Sequence, residues 1–240
     1  VYKRQAYGMT RDPKLKEPAQ KALRFIEQTQ HPERGGWRYM LHTSSDLSVT
    51  GWMFGALKSG HLAGLQVKKE TLDAALKYLD RCQAPGGDAS RYVYNPNAPT
   101  TATQAHGRRA SPSMTAVGLL LRLYQGWDRT NPDIRRGADY LMENLPEYRT
   151  GARDTYYWYY ATQVMFHMKG HHWETWERRL HELLRDTQEM SGTLAGSWAP
   201  GGPIPDKWGV QGGRVYVTAM NLLSLEVSYR YLPLYVEAEN

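Results

Sequence analysis

The sequence predicts an all-α protein assembled from repeated helical hairpins, and three observations predict it. Apolar residues recur at helical spacing in eight stretches, and these stretches alternate between a one-sided and an all-round apolar pattern. A helix end followed by a glycine turn recurs with them. Its best copy is Lys21 to Trp37, KALRFIEQTQHPERGGW, where an amphipathic run ends at Gln30 and Gly35 and Gly36 deliver Trp37.

The elements follow in order. Tyr7 and Gly8, then Thr10, Arg11, Asp12 and Pro13, read as a connection that leaves one helix and enters the next; Tyr124 to Asp133 repeats the pattern. The chain is therefore expected to begin inside a repeat, as the C-terminal part of a longer protein, with residues 1–240 forming one domain. A first helix from about Pro18 to Gln30 places Ala22, Leu23, Phe25 and Ile26 on one face. A second, from about Asp46 to Gly60, opens with Ser44, Ser45 and Asp46 as capping candidates and is apolar nearly all round. Thr71 to Gln83 is amphipathic, and Ser113 to Gln125 is almost wholly apolar. Pro132 to Leu145 is amphipathic, and Asp154 to Met168 is aromatic and apolar. Trp173 to Gln188 and Val215 to Tyr231 repeat the alternation. One set of helices thus faces solvent on one side while the other is enclosed, which two concentric rings of helices satisfy. Two connections, Pro85 to Pro112 and Ser191 to Gly213, are long enough to serve as lids or contact arms.

Composition removes several functions. The formal charge is +6, but basic residues sit as pairs between acidic neighbours, so no nucleic-acid surface is expected. No run of about 18 apolar residues occurs, so no membrane span is expected; the first residues, VYKRQAYGMT, do not have the pattern of a signal peptide. Cys82 is the single cysteine, which excludes an internal disulfide and a cysteine-cluster metal site. Tyr and Trp number 17 and 8 against three Phe, a bias toward rings with a polar handle, suited to a wet cavity or an interface. Nucleophile-elbow, Walker and dinucleotide fingerprints are absent from the sequence.

Lys21, Ala22, Phe25, Ile26, Gln30, Gly35 and Trp37 resemble the QW motif of the squalene cyclases. A second copy keeps Ala75, Tyr78, Leu79, Gln83 and Gly86 without the Trp. A third keeps Arg136, Gly137, Tyr140 and Leu141 without the Gln. A fourth keeps Arg179, Leu183, Leu184 and Gln188, then Gly196 and Trp198 after a longer gap. The chain thus resembles the prenyltransferase and squalene oxidase repeat group from about Pro18 onward. That resemblance implies the α/α toroid of terpenoid cyclases and protein prenyltransferases. The run TAMNLLSLEVSYRYLPLY is further similar to repeat proteins of unassigned function from planctomycete-type bacteria, which implies that residue 240 lies near the end of the protein.

Cyclases of this group protonate a polyene with an Asp of a DxDDTA motif. The matching stretch keeps Asp46 and Thr50 but has Ser48 and Val49 where the second and third Asp belong. A serine hydroxyl cannot protonate an alkene, so that role does not carry over, and Asp46 reads as a helix cap before an acid. Prenyltransferases of the group hold zinc with Asp, Cys and His, whereas Cys82 lies on an amphipathic helix as a small buried hydrophobe, and His167, His171 and His172 lack a carboxylate or thiolate to complete a site. No metal or cofactor is expected.

Candidate ligand residues remain. Tyr156 to Tyr160 cover more than one helical turn, so Tyr157, Trp158 and Tyr160 include rings that face a cavity or fill it, with Trp52 and Tyr216 on other apolar helices. Arg153 and Arg214 precede apolar helices, where they either hold an anion or make structural salt bridges. The expected function is a non-cyclase module that binds a ligand or a protein partner through an aromatic-lined cavity and its rim loops. The ligand would be an apolar or anionic small molecule, and the partner a second protein or missing upstream repeats. The alternative is an enzyme using the cavity, cyclase-like, prenyltransferase-like or carbohydrate-active, with Asp154 or Asp46 as its acid.

Overall fold

The structure is a computed structural model that describes residues 7–230. Among them helices dominate and the only strands are two short ones, so the fold is all-α as expected. The chain divides into two compact units, Val1–Trp127 and Asp128–Asn240, with no linker-like composition at the junction. No helix is long and apolar enough to cross a membrane.

In the first unit, residues 7–10 are helical and stop at Arg11, whose φ of 55° turns the chain before Asp12. Helix α1, Pro13–Gln28, starts earlier than the sequence pattern placed it, because Asp12 accepts the Lys14 N–H and Pro13 sits where no N–H is needed. Its buried stripe is Ala19, Leu23 and Ile26; Ala22 and Phe25 turn outward, contrary to expectation, because the core-facing stripe runs at i, i+4 and i+7. Helix α2, Leu47–Leu62, is capped by Asp46 and receives Leu23 of α1 against Gly60. Helix α3 is Lys69–Arg81. The connection expected as a loop then contains a small antiparallel pair, β1 (Gln83–Ala84) and β2 (Asp88–Tyr92), and a 3-10 turn at Ala105–Arg108. Helix α4, Pro112–Gln125, is capped by Ser111 and ended by Gly126 at φ 113°. It packs on α2 and on β2, where the Tyr92 ring lies so close to Gly118 that a Cβ would run into it.

In the second unit, α5 (Pro132–Met142) is capped by Asn131 and α6 (Thr155–Met168) by Asp154. Helix α7, Gly170–Thr187, follows α6 through Lys169 and Gly170, both at positive φ. Helix α8, Gly209–Leu225, breaks at Gly213 (φ 69°, ψ −173°), so its continuous part begins at Arg214, beside the Val215 start read from the sequence. A short α9, Val227–Arg230, closes the described chain; the expected helix end at Tyr231 and the LPLY run lie outside the described residues. Helix α6 is the hub of this unit and packs against α5, α7, α8 and α9.

The hairpins repeat in their hydrogen bonds as well as their pattern. The Trp37 indole donates to Ile26 O at 2.8 Å and its backbone N–H to Thr50 Oγ1 at 3.1 Å. Trp198 does the same in the second unit, to Leu184 O at 2.9 Å and Thr218 Oγ1 at 3.2 Å. Each corner also has its glutamine: Gln30 Nε2 donates to Gly35 O, and Gln188 Nε2 to Gly196 O. In the second hairpin Tyr92 takes the place of the missing Trp, its N–H donating to Thr115 Oγ1 and its hydroxyl accepting from Arg122 Nε. In the third, the Tyr157 hydroxyl, reaching back from the next helix, donates to Leu141 O and Asn144 O. Ile26, Leu141 and Leu184 are the matching aliphatic positions of the first, third and fourth copies, and each carbonyl is held by an aromatic donor. Buried carbonyls at a helix end need such a partner, which gives the Trp or Tyr its structural role.

Candidate functional site

Of the nine residues singled out in the sequence, Arg153, Asp154 and Tyr216 come together, at the start of α6 in the second unit. Asp154 takes a non-helical conformation (φ −140°, ψ 89°) and accepts the Tyr157 N–H with Oδ1 at 3.0 Å. Its other oxygen meets Lys207 Nζ at 3.0 Å. Arg153 is buried beneath the Tyr148 ring, 4.9 Å away, and donates to Ala199 O and Ile204 O, while its own carbonyl accepts the Lys207 N–H. These bonds latch the 199–207 loop onto the helix start. Arg153 is therefore spent on loop carbonyls.

Asp206, which the sequence reading passed over, is 3% exposed. It accepts the Thr155 N–H and the Trp208 N–H, each at 2.9 Å. The second bond is an Asx turn, which the run Pro205, Asp206, Lys207 after a proline-rich stretch signals in retrospect. Tyr216 lies with its ring against Gly212. Its phenol is pushed up, by burial first and then by the Asp206 and Asp154 carboxylates, with the Thr155 hydroxyl pulling the other way. It stays neutral at any ordinary pH. The groups that face outward are Lys207, half exposed with its ammonium 5.5 Å from the Trp208 ring centre, and the Trp208 indole. An ammonium on an indole face offers donors to an anion and a flat apolar surface beside it.

The first unit holds the other candidate acid. Asp46 is fully buried and accepts the Val49 N–H with Oδ1 at 2.9 Å. Its second oxygen faces Arg38 Nε at 3.7 Å. Burial raises its carboxyl above the usual range, and the Val49 N–H, the Tyr94 phenol and Arg38 hold that rise back. Nearby Cys82 is buried, and burial pushes its thiol up to about 12, so it carries no thiolate at neutral pH.

The remaining candidates lie elsewhere. Trp52 is half buried on α2 of the first unit. Tyr157, Trp158 and Tyr160 are buried along α6; Tyr157 stands edge-on to Trp176, and Tyr160 packs against Tyr156 and Tyr159. Arg214 is at the corner of the fourth copy, where it donates to Ser197 Oγ at 2.9 Å and lies 3.8 Å from Glu189. His167 is half-buried and its imidazole is pushed down to about 4, by desolvation and then by Lys169, while His172 pairs with Asp139. Among the described residues no group of three or more His, Cys, Asp or Glu converges to hold a metal.

No family model matches the chain, and no curated protein matches it.

Proposed function

We propose that the chain is a non-cyclase module of the terpenoid cyclase-like α/α toroid group that binds a ligand or a protein partner through its aromatic residues and rim loops. One observation carries this reading: both candidate acids are committed to structure. Asp46 and Asp154 each cap a helix with one oxygen and face a cation with the other. A carboxylate that caps its helix has a structural role that needs no substrate. The repeated Gln and Trp corners support the group assignment, and the outward Lys207 and Trp208 support an anionic ligand with an apolar portion.

Native mass spectrometry after exposure to lipid and glycan extracts tests the reading. The expected result is a small adduct that the Lys207→Ala, Trp208→Ala double variant no longer retains, with Asp154→Asn binding as before. Catalytic turnover of the adduct that Asp154→Asn abolishes would replace this reading with an enzymatic one.

A further inference from the structure

The two connections that lead into α2 and α4 meet at one end of the first unit. The Asp46 N–H donates to Trp37 O at 3.0 Å and closes the loop 38–45, and the Leu47 N–H donates to Tyr94 O at 2.8 Å. The Arg38 guanidinium lies 6.0 Å from the Tyr94 ring centre, and Val93 pairs with Ala110 across the base of the second connection. The mixture of charges that marks the rest of the chain fails at this end. No Asp or Glu occurs from Arg34 to Ser45 or from Ala89 to Trp127, while the same stretches supply Arg34, Arg38, His42, His106, Arg108 and Arg109. The adjoining carboxylate, Asp46, is buried against Arg38.

At the tip of the first loop stand Tyr39, Met40 and Leu41, exposed by 76%, 69% and 55%. The loop is tied from beneath: Arg34 donates to Ser44 Oγ at 3.1 Å, the His42 ring meets Gln30 O at 3.2 Å, and Thr43 Oγ1 donates to Met40 O at 3.0 Å. Hydrogen-bonded backbone thus turns three apolar side chains outward. A run of three exposed apolar residues does nothing for folding and marks a contact surface.

Shape and charge together select the occupant. A small-molecule site is concave and a docked helix or strand needs a regular face, whereas this tip is irregular and stands proud of the surface. An apolar tip flanked by cations complements a broad surface that is anionic outside and apolar beneath, which describes a phospholipid bilayer. We propose that the loop 38–45 docks the first unit on anionic membrane surfaces. Met40 and Leu41 enter the acyl boundary, Tyr39 sits at headgroup depth, and the arginines of the two connections meet lipid phosphates. Insertion stops at that depth, because irregular backbone carries polar groups that hydrocarbon does not satisfy. The proposal does not rest on the ligand proposed above, whose contacts Lys207 and Trp208 belong to the other unit.

Co-sedimentation of the whole chain with vesicles tests it, with phosphatidylcholine alone set against phosphatidylcholine containing about one part in three of phosphatidylglycerol. The expected result is binding to the anionic vesicles that weakens about tenfold as salt rises from roughly 0.1 to 0.5 M, and little binding to the neutral ones. Met40→Ser with Leu41→Ser should weaken it at least about tenfold, and Arg108→Gln with Arg109→Gln by about tenfold. Met190→Ser, at an equally exposed loop position of the second unit, should leave it unchanged. Circular dichroism checks that the variants fold. Leu41→Cys carrying an environment-sensitive fluorophore should shift to the blue on anionic vesicles, Cys82 being buried. A chain that ignores anionic vesicles, binds neutral ones as well, or keeps its affinity without Met40 and Leu41 would overturn the proposal, as would a bound chain whose Leu41 label stays in water. Binding to soluble polyglutamate as tight as to the vesicles would also overturn it and assign this end of the unit to an acidic protein.

Discussion

The corners at Trp37 and Trp198 use the same two bonds in two different units, yet the glutamines beside them differ. Gln30 donates to Gly35 O and also reaches Thr71 O, 2.9 Å away near the start of α3, so it ties its own hairpin to the next. Gln188 donates to Gly196 O from an exposed setting. The helix starts differ as well: Asp46 heads α2 as a buried cap, and Arg214 at the matching position of α8 turns to Ser197 and Glu189. The tryptophan corner is therefore a self-contained device that folds one hairpin. The tie between hairpins is a separate device, present at the first corner and not seen at the other among the described residues.

That distinction predicts equal costs for the tryptophans and unequal costs for the glutamines. Trp37→Ala and Trp198→Ala should each destabilise the chain by about 3–5 kcal/mol, since both rings are almost fully buried and both leave a carbonyl unpaired. Urea unfolding of the full chain measures this. A difference above about 2 kcal/mol between the two would break the equivalence of the corners.

The second unit should also respond to acid through a half-buried base. The folded pKa of His167 is about 4 against an ordinary 6.5, so the unfolded chain takes up the proton first as pH falls. Its contribution is constant above about 6.5, declines as pH drops toward 4 and is flat below. The span is on the order of 3 kcal/mol, and His167→Gln should flatten that part of the stability profile. A profile that keeps the same slope without His167 would assign the acid sensitivity to other groups.

The smallest effect sharpens the comparison most. Gln30→Ala should cost about 1–2 kcal/mol, for two bonds to backbone carbonyls, and Gln188→Ala about 0.5 kcal/mol, for one exposed bond. Equal costs would mean that the bond to Thr71 O contributes nothing to holding consecutive hairpins together.

Much of the fold was legible because its signals are local. The alternation of amphipathic and apolar helices, the cap Asp46 and the corner from Gln30 to Trp37 depend on residues within a turn or two of each other, whereas Asp154 was read as a candidate acid and proved to be a cap. Tyr92 was not legible as the second corner's aromatic, because it lies at the end of β2, with β1 and the turn between it and the helix that precedes them. Phe25 occupies the aromatic slot of the motif and still faces solvent, since motif spacing does not say which residues of a helix have a neighbour. Arg153, Asp154 and Tyr216 were each picked out, but their meeting with Asp206 and Lys207 spans about fifty residues of chain and leaves no trace in local pattern.

The sequence by itself determined the helices, their capped starts and the glycine turns, because these rest on backbone hydrogen bonds and side chains three or four residues apart. Tertiary structure decided what each polar or apolar group is used for. It set Asp154 against Lys207, buried Asp46 beside Arg38, and left Val215 and Leu222 open where Leu47 and Phe54 are covered. The reason is physical: burial and ion pairing are set by whichever distant segment packs alongside, so identical local patterns acquire different roles.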